Sequence, residues 1–205
     1  LRVALIGCGG YGNYAHIPAI LGHGTSVKSQ DGTHTHSPET DGERLVALVD
    51  PDSRQIAKAM KRANEVSPGT DTSKIRVFAD YRKMFDEMGK DLDAVIIATP
   101  IHQHALPALM AIRRRIHVYL EKPLAHTIAE VRMLTEEARR YGVATQMGNW
   151  GQSTEGPRLL CEYFQAGAVG AIREVHCWSD RVDGLPPNTP RPPALAVPRE
   201  RVDAG

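Results

Sequence analysis

The sequence has little of what would mark a specialised chain. Its three cysteines, Cys8, Cys161 and Cys177, are odd in number and widely spaced, so neither a disulfide framework nor a zinc knuckle can be read from them. No apolar run reaches the roughly 20 residues that crossing a bilayer demands, and no membrane partner is expected. Charge of one sign is also missing. With 25 Lys and Arg against 24 Asp and Glu, the formal net charge is +1, which gives no electrostatic case for nucleic acid or an anionic surface. The opening residues read as a core strand and not as a signal peptide. A cytoplasmic protein is therefore expected, although the chain starts at Leu1 and an upstream export signal stays open. What is present, 41% hydrophobic and 24% charged residues in a chain of 205, suffices for one full core and part of another.

The pattern begins at the front. Arg2 to Ile6 read as a short buried strand, followed by Gly7, Gly9 and Gly12 in G-x-G-x-x-G spacing, then a helix-like run through Ala15, Ile17, Ala19, Ile20 and Leu21. Strand, glycine turn and helix suit a dinucleotide pyrophosphate: the first glycine makes the turn, the second lets backbone approach phosphate, the third lets helix pack on strand. The anion would rest on free N–H groups at the positive end of the helix. Alone, the spacing equally fits a glycine-rich connection without a ligand.

Residues 22–42 are polar and rich in Gly, Ser, Thr and His, and read as a long surface loop. Its His23, His34 and His36 have no Cys or helical H-x-x-x-H partner, so exposed loop histidines are expected and no metal site. The next strand, Arg44 to Val49, ends at Asp50. An acidic residue there can accept hydrogen bonds from the adenosine ribose and repel a 2′-phosphate, which favours NAD over NADP. Because Asp50 precedes Pro51, it could equally cap the helix expected from Asp52 to about Glu65.

The alternation then repeats. Strands are expected at Ile75–Phe78, Asp93–Ala98, Ile116–Leu120 and Val143–Met147, with helices at Tyr81–Met88, His102–Arg114 and Ile128–Tyr141 between them. The last helix carries a T-x-x-E capping box at Thr127 and Glu130, with Ile128, Val131, Leu134, Ala138 and Tyr141 on one face. The fold class is α/β: a Rossmann-type doubly wound parallel sheet, followed by the start of a second α/β domain. Thr99-Pro100 with His102 and His104, then Glu121-Lys122-Pro123, then Gly148-Asn149-Trp150 all fall at carboxyl ends of strands, the edge where such sheets bind ligands. His102 and His104, spaced H-x-H, could also be metal ligands or helix-start residues, but no third ligand is evident.

In this order, GCGGYG, VALVDPD, ATPIHQHA, HVYLEKPLAHT and TQMGNWGQS resemble the glucose–fructose oxidoreductase/inositol dehydrogenase (Gfo/Idh/MocA) family over residues 1 to about 180, with E-K-P as the most specific marker. The resemblance implies an NAD(P)-binding Rossmann domain over 1–147 and, over 148–205, part of a domain for substrate binding and oligomerisation. It implies hydride transfer between nicotinamide and a hydroxyl of a sugar, inositol or related polyol, and a homo-oligomer at full length. Gly7, Gly9, Gly10, Tyr11 and Gly12 would hold the pyrophosphate and Asp50 the adenosine ribose. Thr99, Pro100, His102, His104 and Asn149 would lie near the nicotinamide half. Glu121 would contact the nicotinamide ribose, and Lys122 would be the catalytic residue facing the substrate hydroxyl.

There are departures. Ile101, Gln103, Trp150 and Gln152 differ from residues common in relatives, which leaves the substrate open, and Arg115-Ile116 replace a usual Gly-Lys pair. Beyond strand six the sequence offers a helix from about Pro157 to Gln165, a strand Ile172–Ser179 that would carry His176, and a proline-dense tail expected to be extended loop. The family's second domain is far longer, and its usual histidine and acidic partner would lie beyond Gly205. A glycosidase that uses bound NAD transiently and a non-catalytic NAD-binding module are the alternative readings.

Overall fold

A computed structural model describes residues 1–21, 43–68 and 71–178; the loop expected at 22–42 and the proline-dense tail lie outside them. Six parallel strands form one sheet among the described residues: β1 Arg2–Ile6, β2 Arg44–Val49, β3 Arg76–Phe78, β4 Ala94–Ile97, β5 His117–Glu121 and β6 Thr145–Gly148. Their order is β3-β2-β1-β4-β5-β6. The sequence thus runs outward from β1 in one direction and then, from β4, in the other. The helices are α1 Ile17–Ile20, α2 Ser53–Val66, α3 Tyr81–Met88, α4 Ala105–Arg113, α5 Ile128–Tyr141 and α6 Glu155–Gln165, and a π turn at Gly12–His16 leads into α1. By compactness the chain divides into Leu1–Thr154 and Glu155–Gly205.

Alternate residues of a strand face opposite sides, and β1 shows why both sides must be covered. Ala4 and Ile6 pack with Val95, Ile97 and Val118 against Met84, Phe85 and Ile112 of α3 and α4. Val3 and Leu5 pack with Leu45 and Leu48 against Ile17, Ile20 and Ile56 of α1 and α2. Each fully buried aliphatic side chain contributes about 1.5–3 kcal/mol. The doubly wound sheet expected from the sequence is therefore what forms. At its amino edge, Arg2 joins β1 to the start of β4: Asp93 accepts from the Arg2 backbone N–H at 2.6 Å and from its guanidinium at 2.9 Å. Those bonds hold the Asp93 carboxyl down at about 2.

Several boundaries differ from the sequence reading, each for a local reason. The helix expected from His102 begins at Ala105, behind a 3-10 turn at Ile101–Gln103. Pro107 has no N–H to give a preceding carbonyl, so it is accommodated only in a first turn. Pro157 likewise sits in the first turn of α6, which starts at Glu155 and not at Pro157. The capping box of α5 is present on both sides, and Leu134 is buried, yet Ile128 is 72% exposed. The strand expected at 172–179 does not form over the described residues 172–178, which are exposed and carry no ladder. Alternating residues make a strand only beside a partner, so alternation alone does not form one. His176, read as a sheet residue, instead pairs with Glu174 at 2.8 Å.

Arg115, one of the departures noted above, lies in the left-handed region with φ 60°, just past α4. An L side chain there costs about 1 kcal/mol, which a glycine avoids. Its guanidinium recovers part of this by donating to the Tyr141 carbonyl at 3.1 Å. Arg115→Gly is expected to raise stability by roughly 0.5–1 kcal/mol in urea denaturation; a loss of stability would show that the Tyr141 bond outweighs the backbone strain.

Candidate functional site

Because every strand is parallel, the carboxyl ends of β1, β2, β4, β5 and β6 share one edge, and the order reverses between β1 and β4. That reversal opens a crevice. The chain leaves β1 at Gly7, whose φ of +94° and close fit both require glycine: a Cβ would stand 2.6 Å from the Ala98 carbonyl oxygen. Gly12 is confined in the same way, since a Cβ there would strike the Gly7 carbonyl. Gly9 and Gly10 have open space around the Cβ position, with no atom within 4 Å. Two glycines therefore serve packing, and two leave a bare backbone facing room. No side chain caps the turn that follows. Its first N–H groups, at the positive end of the helix, suit an anion such as pyrophosphate.

Asp50 is tied directly to this turn. Its Oδ2 accepts from the Cys8 N–H at 2.9 Å and its Oδ1 from the Asp52 N–H at 2.9 Å. The helix cap that the sequence left open for Asp50 belongs to Asp52, whose side chain accepts from the Arg54 N–H. Asp50 remains half-exposed and lines a cavity of about 610 Å³ with Gly7, Gly9, Thr99, Pro100 and Gln103. That is the size of a site for a nucleotide-like ligand. Burial, and after it the charge of Asp50, pushes the Cys8 thiol up to about 12, which keeps it protonated near neutral pH. An NAD molecule fits this donor set: bare glycine backbone for the phosphates and a carboxylate for the ribose hydroxyls.

The remaining sequence candidates are distributed beyond that cavity. His104 is buried, with Nδ1 2.8 Å from the Pro123 carbonyl and Nε2 2.8 Å from the Thr99 carbonyl, so it ties the segment after β4 to the segment after β5. Thr99 Oγ1 donates to the Gln103 carbonyl at 3.1 Å. His102 is exposed in the 3-10 turn. Among the described residues no three His, Cys, Asp or Glu side chains gather to hold a metal. Glu121 ends β5 and is buried, Lys122 follows it with an exposed side chain before a cis bond to Pro123, and Asn149 is exposed after β6.

One buried residue beside these escaped the sequence reading. His16 Nε2 lies 2.9 Å from Glu121 Oε1, and Tyr11 meets the His16 ring edge-on at 5.4 Å between centroids. A histidine in the otherwise apolar run AHIPAIL was the available signal, since buried histidines in such runs need a partner.

The parallel order 3-2-1-4-5-6, the glycine turn and the acidic residue after β2 define a nucleotide-binding Rossmann domain. The chain belongs to the Gfo/Idh/MocA oxidoreductase family with an NAD-binding Rossmann fold, whose model matches residues 1–149. It is 30% identical over 157 residues to inositol 2-dehydrogenase 1 of Saccharopolyspora erythraea, covering 75% of this chain and 43% of that protein. It is 26% identical over 143 residues to 2,7-anhydro-N-acetylneuraminate hydratase of Mediterraneibacter gnavus, covering 70% of this chain and 34% of that one. The fold is shared with myo-inositol 2-dehydrogenase of Lactobacillus plantarum at a TM-score of 0.64 and 23% identity, over 84% of this chain and 43% of that one. The chain thus spans less than half the length of these relatives. No described helix is long and apolar enough to cross a membrane.

The two kinds of glycine give opposite expectations. Gly12→Ala should cost several kcal/mol of stability, because backbone must move. Gly9→Val should leave the melting temperature nearly unchanged while weakening NADH binding tenfold or more. Thermal unfolding and NADH fluorescence titration separate the two; a Gly9→Val chain that binds NADH normally would show that the open space is not used.

Proposed function

We propose that this chain is the nucleotide-binding part of an NAD-dependent oxidoreductase acting on a hydroxyl of a sugar, inositol or related polyol. The observation that carries the reading is the bond from the Cys8 N–H to Asp50, which sets a carboxylate beside the two glycines with open space. On this reading Gly9, Gly10, Tyr11 and the first turn after them hold the pyrophosphate, with Gly7 and Gly12 shaping the turn. Asp50 accepts from the adenosine ribose and disfavours a 2′-phosphate. Thr99, Pro100, His102, His104 and Asn149 border the nicotinamide half, and Glu121 binds its ribose. Residues 148–205 belong to a domain that supplies the substrate pocket and an oligomer interface.

When bound, the nicotinamide supplies a hydride acceptor or donor for the carbon bearing the reacting hydroxyl. The chain's own contribution at that carbon is Lys122. Its Nζ hydrogen-bonds the substrate oxygen and carries the proton that leaves as the carbonyl forms, or returns it in the reverse direction. Glu121, buried one residue earlier, fixes the direction from which Lys122 departs. A positioned acid or base of this kind contributes about 10²–10⁴ in rate.

In the complete protein, Lys122→Ala should leave NADH affinity within a few-fold and lower turnover by about 10²-fold or more. Turnover followed at the NADH absorbance band tests this, and a near-normal rate would make Lys122 a bystander. For the cofactor, NADH should bind more tightly than NADPH, and Asp50→Asn should narrow the gap while still accepting from the Cys8 N–H. Equal affinities in the unsubstituted chain would overturn the role given to Asp50.

A further inference from the structure

The pair formed by His16 and Glu121 is buried, and the chemistry above does not use His16. Both side chains are buried, at 8% and 9% exposure, and Nε2 is 2.9 Å from Oε1. The two residues come from different elements of the fold. His16 closes the π turn that follows the glycines, and Glu121 ends β5, next to Lys122. The π turn sets where the imidazole points. Its wide loop is closed by the Ile17 N–H donating to the Gly12 carbonyl, five residues back, and such turns recur at functional sites because they redirect one side chain.

Among the described residues, Glu121 is the charged group that acts on the imidazole. Tyr11 from the glycine turn and Tyr119 from β5 both stand T-shaped to it, with ring centroids 5.4 Å away. Burial pushes His16 below its ordinary value, and this outweighs the opposing pull of Glu121. A neutral ring whose Nε2 faces a carboxylate donates its one N–H there. Glu121 is gripped from other directions as well. Its Oε2 accepts from the Lys122 N–H at 3.3 Å, and Gly148, its neighbour across the β5–β6 register, leaves the space a Cβ would occupy only 2.5 Å from Oε1. With one donor from His16, one from the following residue, and a bare glycine alongside, the carboxylate has a single orientation.

We propose that His16 is a positioning residue: its buried hydrogen bond fixes Glu121, and through it the Glu121–Lys122 segment, to the helix that binds the pyrophosphate. This rests on the nucleotide reading above and adds a residue that couples its two halves. It makes His16 matter for the nicotinamide end of the ligand and not for the adenosine end. It also has a signature in acid. A histidine held neutral by burial leaves its stabilising contribution intact above about pH 6.5 and loses it as pH falls, since the unfolded chain then gains a proton that the folded chain refuses.

The test compares His16→Leu, which removes the donor, with His16→Gln, whose amide N–H can replace it. ADP and NADH are each titrated against the 205-residue chain, and unfolding is followed from pH 7.5 to 5.5. In His16→Leu, ADP affinity should stay within about two-fold while NADH affinity falls five-fold or more, and His16→Gln should recover most of the loss. Both variants should also lose stability less steeply with acid than the unsubstituted chain. Equal weakening of ADP and NADH, with no recovery in His16→Gln, would reduce His16 to a structural role and overturn the proposal. Unchanged NADH affinity in a folded His16→Leu chain would overturn it too. An unsubstituted chain that binds neither ligand would instead defeat the nucleotide reading on which the inference stands. If His16→Leu does not fold, His16→Gln decides alone: normal discrimination between ADP and NADH, with a flattened acid limb, is the expected result, and lost discrimination overturns it.

Discussion

The site depends on a contact between backbone atoms. Gly7 lies against the Ala98 carbonyl and Gly12 against the Gly7 carbonyl, so that β1, the turn, the following helix and the end of β4 meet without side chains between them. Close-packed backbone cannot yield by rotating a side chain, as an ordinary core contact can. The positions of Gly9 and Gly10, the direction of the first helical N–H groups and the opening between β1 and β4 all follow from this one fit. Asp50 adds the third side, because its bond to the Cys8 N–H ties the end of β2 to the same turn.

Charge is used sparingly around that fit. The cavity beside Asp50 combines a carboxylate with free backbone donors, which suits a ligand that is anionic in its middle and rich in hydroxyls at its end. Further along the edge, the polar groups are spent on one another: His104 between two carbonyls, His16 on Glu121. Lys122 and Asn149, like His102, keep exposed side chains there. The edge therefore passes from a ligand-ready stretch to a rigidly supported one, with one cation beyond it.

Most of the sheet was legible in the sequence because a parallel strand covered on both faces reads as a continuous apolar run, as at Ala94–Ile97, and because Thr127 announces the helix it caps. The glycine turn and Asp50 were legible because few other residues satisfy those geometries. Three things were not. Proline positions moved the starts of α4 and α6, since only the three-dimensional turn shows which N–H groups are needed. The segment 172–178 has the alternation of a strand, but pairing is a property of two segments and cannot be read from one. His16 was hidden because its partner, Glu121, lies 105 residues away in the chain.

On the proposed reading, the bond from the Cys8 N–H to Asp50 also constrains how cofactor preference could change. A substitution that welcomed a 2′-phosphate by deleting the carboxylate would also strand the Cys8 N–H, next to the least adjustable backbone in the molecule. Viable routes therefore pass through residues that keep a short acceptor, such as Asn or Ser, before any compensating cation is recruited nearby. On that reading the scaffold buttresses cofactor preference, because the acceptor that the Cys8 N–H needs and the carboxylate that would meet the ribose are one side chain.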